Sequence, residues 1–151
     1  MRTKAHTLSP ELGLCTSYEY GTTFQTGRPV RFRFIHNTEK APNLGSKFGQ
    51  DIEPHGRYIL HNPNPGDLPR KWEAGETEFQ KPLVLRMVAS GSDDYYGPQG
   101  WKARLSRVFG GRKGKWLTCH LRKLGYDGIV TCDGDAYTRE IVDLRPVRCR
   151  S

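Results

Sequence analysis

Three short pieces of this sequence carry side chains able to do chemistry, and they come in a fixed order. His36 closes the run Phe34-Ile35-His36-Asn37-Thr38, and Tyr58 follows Gly56 and Arg57. Glu140 opens Glu140-Ile141-Val142-Asp143-Leu144, ten positions beyond the block Leu121 to Val130. Such groups serve as general acids and bases when held close together. A small basic ribonuclease would draw on His, Lys, Arg and Tyr in this way, although no two of the histidines pair convincingly. His6, His55, His61 and His120 read as surface residues. Cys15, Cys119, Cys132 and Cys149 are scattered, without a C-x-x-C pair, so no metal site is expected. They read as buried or partly buried thiols of a reducing compartment, with a disulfide between two of them left open. No Gly-x-Gly-x-x-Gly stands anywhere, so a Rossmann site is not expected either.

These pieces sit in a chain of 151 residues, the size of a single domain spanning residues 1–151. Hydrophobic residues make up 35% and the mean hydropathy is −0.71, well short of a membrane span. Met1 to Leu14 holds Arg2 and Lys4 with no apolar run behind them, so no secretory signal is read and the expected location is cytoplasmic. The net charge is +8 and is unevenly spread. Lys102, Arg104, Arg107, Arg112, Lys113, Lys115, Arg122 and Lys123 fall between Trp101 and Lys123, where there is no acid. A run of this kind attracts phosphate backbones or acidic proteins.

The elements that must position these residues follow from periodicity. Val30 to Ile35 alternates apolar and basic residues and reads as a half-buried strand ending at His36. Arg57 to Leu60 is a second strand, Pro82 to Val88 a strongly apolar third, and Ser17 to Tyr20 opens a weak one. His61 to Gln80, with Pro63, Pro65, Gly66, Pro69 and Gly75, reads as a long loop that could form a lid. Glu39 to Gln50 and Gly91 to Gly100 also read as loops, the first with room for a short helix. Trp101 to Phe109 and Lys115 to Leu124 read as helices, stopped by Gly110-Gly111 and by Gly125. Tyr126 to Cys132 and Glu140 to Leu144 are strands flanking the turn Asp133-Gly134-Asp135. Strands first, two helices late and a closing strand pair give an α+β fold with a mixed or antiparallel sheet and a few short helices.

The late block resembles the C-terminal part of ADP-ribosyltransferases of the phage and toxin type. There, a helix runs into Gly-Tyr-Asp-Gly-Ile, as Gly125 to Ile129 does here, and a Glu opens the last strand, as Glu140 does. Lys81 to Leu85 is also similar to a strand of that family. His36, Tyr58 and Glu140 fall in the order of the His–Tyr–Glu triad of its diphtheria-toxin and poly-ADP-ribose-polymerase branch. The resemblance covers roughly residues 30 to 147 and implies NAD as substrate, without metal. Loss of nicotinamide leaves an oxocarbenium-like ribose, which a carboxylate stabilises, and the resemblance gives this task to Glu140. It gives His36, with Asn37 and Thr38, contacts to a ribose, Tyr58 a stacking face for nicotinamide, and Gly56 room for close approach. Tyr137, Thr138 and Arg139 would face the acceptor. The sequence departs from the family in reading His36-Asn37-Thr38 for His-Gly-Thr. It also has Thr138 where arginine-modifying members carry Glu or Gln, which argues against an arginine acceptor.

The resemblance therefore implies a mono-ADP-ribosyltransferase acting on a macromolecule. Nucleic acid is the first expectation for the acceptor, through Lys102, Arg104, Arg107, Arg112, Lys113 and Lys115, and an acidic protein the second. The alternatives are an NAD glycohydrolase, a ribonuclease-type toxin and a non-catalytic nucleic-acid-binding module.

Overall fold

The computed structural model describes residues 8–9, 14–19, 22–37, 52–64, 66–87, 100–132 and 138–150, with the backbone alone at 8–9, 14–19, 22–23, 87 and 138–139. The strands are β1 (Leu8–Ser9), β2 (Leu14–Glu19), β3 (Thr22–Thr26), β4 (Val30–Asn37), β5 (Arg57–His61), β6 (Trp72–Phe79), β7 (Pro82–Met87), β8 (Gly128–Cys132) and β9 (Thr138–Asp143). The helices are α1 (Trp101–Val108) and α2 (Gly114–Lys123). Among the described residues the sheet runs β1-β2-β3-β7-β8-β9-β5-β4-β6. β7 and β8 are parallel, joined through the two helices, and the other pairings are antiparallel. The fold is α+β with a mixed sheet.

Alternation divides the apolar residues between the two sheet faces. Phe24, Leu83, Leu85, Ile129 and Val142 pack with Trp101, Leu105, Leu117 and Leu121 of the helices. Phe32, Phe34, Ile59, Phe79, Val130, Cys132 and Ile141 form a second cluster on the opposite face. No helix among the described residues is long and apolar enough to cross a membrane.

The expected loop from His61 to Gln80 is corrected: β6 occupies its second half and pairs with β4 along eight residue pairs. β6 has almost no apolar alternation, because its outward partners are the cations of β4. Arg31 meets Glu78 at 3.4 Å and Arg33 meets Glu76 at 3.6 Å, each directly across the ladder. Gly75, which argued for a loop, is where the Phe34 ring presses on the backbone; a Cβ there would lie 2.7 Å from Phe34 Cζ. β3 is a further strand that the sequence reading did not separate, anchored by the fully buried Phe24.

The cysteine expectation is corrected as well. Cys119 on α2 and Cys149 form a disulfide with a Cα–Cα distance of 5.6 Å, tying the segment after β9 to the helix. Arg122 Nη1 donates to the Val147 carbonyl at 2.6 Å beside it. Cys132 is a buried thiol. The turn Tyr126-Asp127-Gly128 has a structural role: Asp127 accepts the backbone N–H groups of Gln80 (2.7 Å) and Lys81 (3.1 Å) and fixes the start of β7 beside β8.

Candidate active site

His36, Tyr58 and Glu140 lie on the neighbouring strands β4, β5 and β9. Register decides how they meet. Leu60 pairs with Glu140, and Tyr58 with Val142, so the Tyr58 and Glu140 side chains share the face that the helices cover. Ile35 pairs with Leu60, which puts His36 on the other face, beside Phe34 and Arg57. The structure therefore brings Tyr58 and Glu140 together and places the His36 ring across the sheet from them.

On the covered face, α1 begins over β5 and β9. The Trp101 indole, 0% exposed, donates to Glu140 Oε1 at 3.3 Å. Thr131 Oγ1 on β8 donates to the Glu140 carbonyl at 2.8 Å. Glu140 is half-buried, so its carboxylate is oriented without being sealed off. The Tyr58 hydroxyl donates to the Pro54 carbonyl at 2.7 Å. Burial first, then the negative charges of Glu53 and Glu140, hold the phenol well above its ordinary pKa, and it stays protonated. Lys102 Nζ lies 5.1 Å from the centre of the Tyr58 ring and pairs with Glu53, whose exposure is 1%. Tyr58 is thus a half-buried ring with its hydroxyl tied to Pro54 and the Lys102 ammonium over it.

Across the sheet, Arg57 Nη2 lies 2.9 Å and 3.1 Å from the His36 ring nitrogens, and Nε2 stands 3.2 Å from Glu73 Oε1. Burial and the Arg57 charge outweigh Glu73 and lower the pKa of His36. A neutral ring with Nε2–H donating to Glu73 leaves Nδ1 to accept from Arg57. β4 and β5 pair only at Phe34–His61 and Ile35–Leu60. Beyond Ile35, β4 continues against β6 and β5 against β9, so the two strands part where His36 and Tyr58 stand.

The other expected site residues fall in several places. Asn37 ends β4 opposite Trp72, and Gly56 is buried against β9, where a Cβ would lie 2.7 Å from the Asp143 carbonyl oxygen. Gly56 therefore serves a close strand approach. Thr38 and Tyr137 lie outside the described residues, as do Glu39 to Gln50 and Asp133 to Asp135; Thr138 and Arg139 are described as the start of β9. The expected cationic surface is corrected at two of its six positions. Lys102 turns inward to Glu53, with its side chain 12% exposed, and Arg104 is 5% exposed. Arg107, Lys113 and Lys115 are exposed and Arg112 is half-buried. Sequence reasoning missed Glu53, Trp101 and the inward Lys102. The only signal available was that Trp101-Lys102 opens a helix bearing apolar residues. His55, expected at the surface, has its Nδ1 enclosed without a hydrogen-bond partner. Among the described residues, no group of three His, Cys, Asp or Glu could hold a metal ion. Comparison with protein-family models, with curated proteins and with solved structures returns no match.

Proposed function

We propose that this chain is an NAD-consuming ADP-ribosyltransferase with an ADP-ribosyltransferase-like fold, in which Glu140 is the catalytic carboxylate. The observation that carries this reading is the joint of Glu140, Tyr58 and Trp101: a half-exposed carboxylate, held by an indole N–H, beside an aromatic ring on the neighbouring strand. The residues fit a cationic aromatic ring such as the nicotinamide of NAD. The Lys102 ammonium, paired with Glu53, lies 5.1 Å from the centre of the Tyr58 ring, so a cationic ring would stack on the other face of Tyr58, with Glu140 supplying the negative charge. NAD supplies the glycosidic bond that breaks and the ADP-ribose that is transferred.

The chain supplies orientation and charge. Trp101 orients the Glu140 carboxylate, which would hold a ribose hydroxyl and oppose positive charge developing on the sugar. Tyr58, tied to Pro54, keeps its ring from turning. His36 then acts where β4 and β5 part, reached from the opposite face and held by Arg57 and Glu73. The acceptor is a macromolecule, and water takes its place when none is present.

Incubation with labelled NAD and a cell lysate, beside the Glu140→Gln variant, tests the reading. Label entering a macromolecule in a Glu140-dependent manner is expected. Transfer that survives the substitution, or no consumption of NAD under any condition, would remove the assignment.

A further inference from the structure

The outward half of the basic run carries an aromatic ring that the site does not use. Trp116 on α2 is 65% exposed, although large apolar side chains are normally withdrawn from water. Arg112 lies over this ring, its guanidinium carbon 5.3 Å from the centroid, and donates through Nη1 to the Phe109 carbonyl at 2.9 Å. The guanidinium is thus anchored, and it steadies one side of the indole. Trp116, His120 and Lys123 stand at i, i+4 and i+7 and so share one face of α2. Burial first, then the positive charges of Arg112 and Lys123, lower the pKa of His120. Lys113 and Lys115 flank the tryptophan and are exposed. Among the described residues, neither they nor Lys123 enters an ion pair, and α2 contains no acid.

We infer that the Trp116 face of α2 is a binding platform for single-stranded nucleic acid, with a base stacked on Trp116 and phosphates held by Lys113, Lys115 and Lys123. Cations alone would fit an acidic protein as well as a polynucleotide. An exposed indole with a stacked arginine among them favours unpaired bases, each of which offers a flat face. A duplex keeps its bases stacked on one another and presents mainly phosphate. The buried side of α2, turned away from Trp116, packs beside the proposed active site. Thr118 Oγ1 donates to the His55 carbonyl at 2.7 Å, and the Lys115 charge reaches the His55 ring. His55 lies between Glu53 and Tyr58. That a strand held on α2 is the acceptor of ADP-ribose rests on the proposed activity; that it binds does not.

Binding is tested without NAD. A twelve-nucleotide oligothymidylate is titrated into the full chain at low salt while tryptophan emission is followed, beside Trp116→Ala and Lys113→Gln/Lys115→Gln. Quenching is expected, with affinity about tenfold or more lower in Trp116→Ala, as loss of one stacked base implies. The lysine variant should bind more weakly and show a shallower salt dependence, by about 0.7 in log–log slope for each phosphate contact removed. Unchanged circular dichroism in both variants excludes unfolding as the cause. The inference is overturned by absence of binding, by equal affinity for a duplex with Trp116→Ala unaffected, or by equal quenching with polyglutamate. The last outcome would give the face to an acidic protein instead. Binding without NAD turnover would retain the platform and remove the enzyme.

Discussion

The two sides of the sheet each hold one ionisable candidate, and they hold it differently. On the helix-covered side, Glu140 accepts from a neutral indole donor and, like Glu53, raises the pKa of the Tyr58 phenol. On the other side, His36 is fixed between an arginine and a glutamate, with its ring nitrogens engaged by both. The Glu140 carboxylate is half-buried and takes a neutral indole donor. An imidazole flanked by two charged partners is committed to its position. The contrast separates a residue suited to chemistry from one suited to holding strand ends and binding, although both stand in the same motif order in the sequence.

The largest expected effect concerns what keeps the first side built. Lys102→Met leaves Glu53 buried without its ammonium and should lower the unfolding free energy by about 3–5 kcal/mol, read by urea denaturation. Adding Glu53→Gln should return part of that loss; no recovery would mean that the pair does not act as a unit. Next comes the contrast itself. Glu140→Gln retains an acceptor for Trp101 and should lower kcat for NAD roughly 10²–10³-fold with the fold intact. His36→Asn, in contrast, should raise KM about 2- to 10-fold with kcat little changed, the scale of one ordinary hydrogen bond. Equal losses of kcat in the two variants would erase the distinction between the sides.

The smallest effect is on the pH dependence of stability. Burial lowers the pKa of His36, His55 and His120 in the folded chain below the ordinary 6.5. The unfolded chain then binds more protons, so their contribution is complete above about pH 6.5 and is lost as pH falls toward the folded values. The melting temperature should decline below that pH, and His36→Asn should remove one share of the decline. A decline of unchanged steepness would assign it to the other two histidines.

Elements with a strong apolar period were legible in the sequence: β4 from Phe32 and Phe34, β8 from its continuous burial, and both helices from the leucines they bury. That Glu140 and Tyr58 each lie on a strand was legible, but the pairing of those strands was not, and β9 begins two residues before Glu140, at Thr138. β6 was not legible, because its ladder rests on charge pairs with β4 and a glycine that accommodates Phe34, and neither leaves an alternation of apolar residues. The opposed faces of His36 and Glu140 follow from a register between strands more than a hundred residues apart, which no local window contains. Lys102 was hidden for a related reason. A lysine in a basic run looks solvated until the buried acid that pairs with it, some fifty residues earlier, is brought alongside.

β9 lies between β8 and β5, and the described strands to its two sides do not pair with each other except through it. The sheet is thus two partial sheets, β1-β2-β3-β7-β8 and β5-β4-β6, stitched by the strand that comes latest in sequence among those described. The carboxylate proposed to act on NAD travels on that stitch. A chain emerging during synthesis would hold Tyr58, Glu53 and Trp101 long before it held Glu140, and would be inert until the two sheets are sewn together. The same arrangement lends itself to a split protein, in which a synthetic β9 peptide restores structure and turnover in a single step.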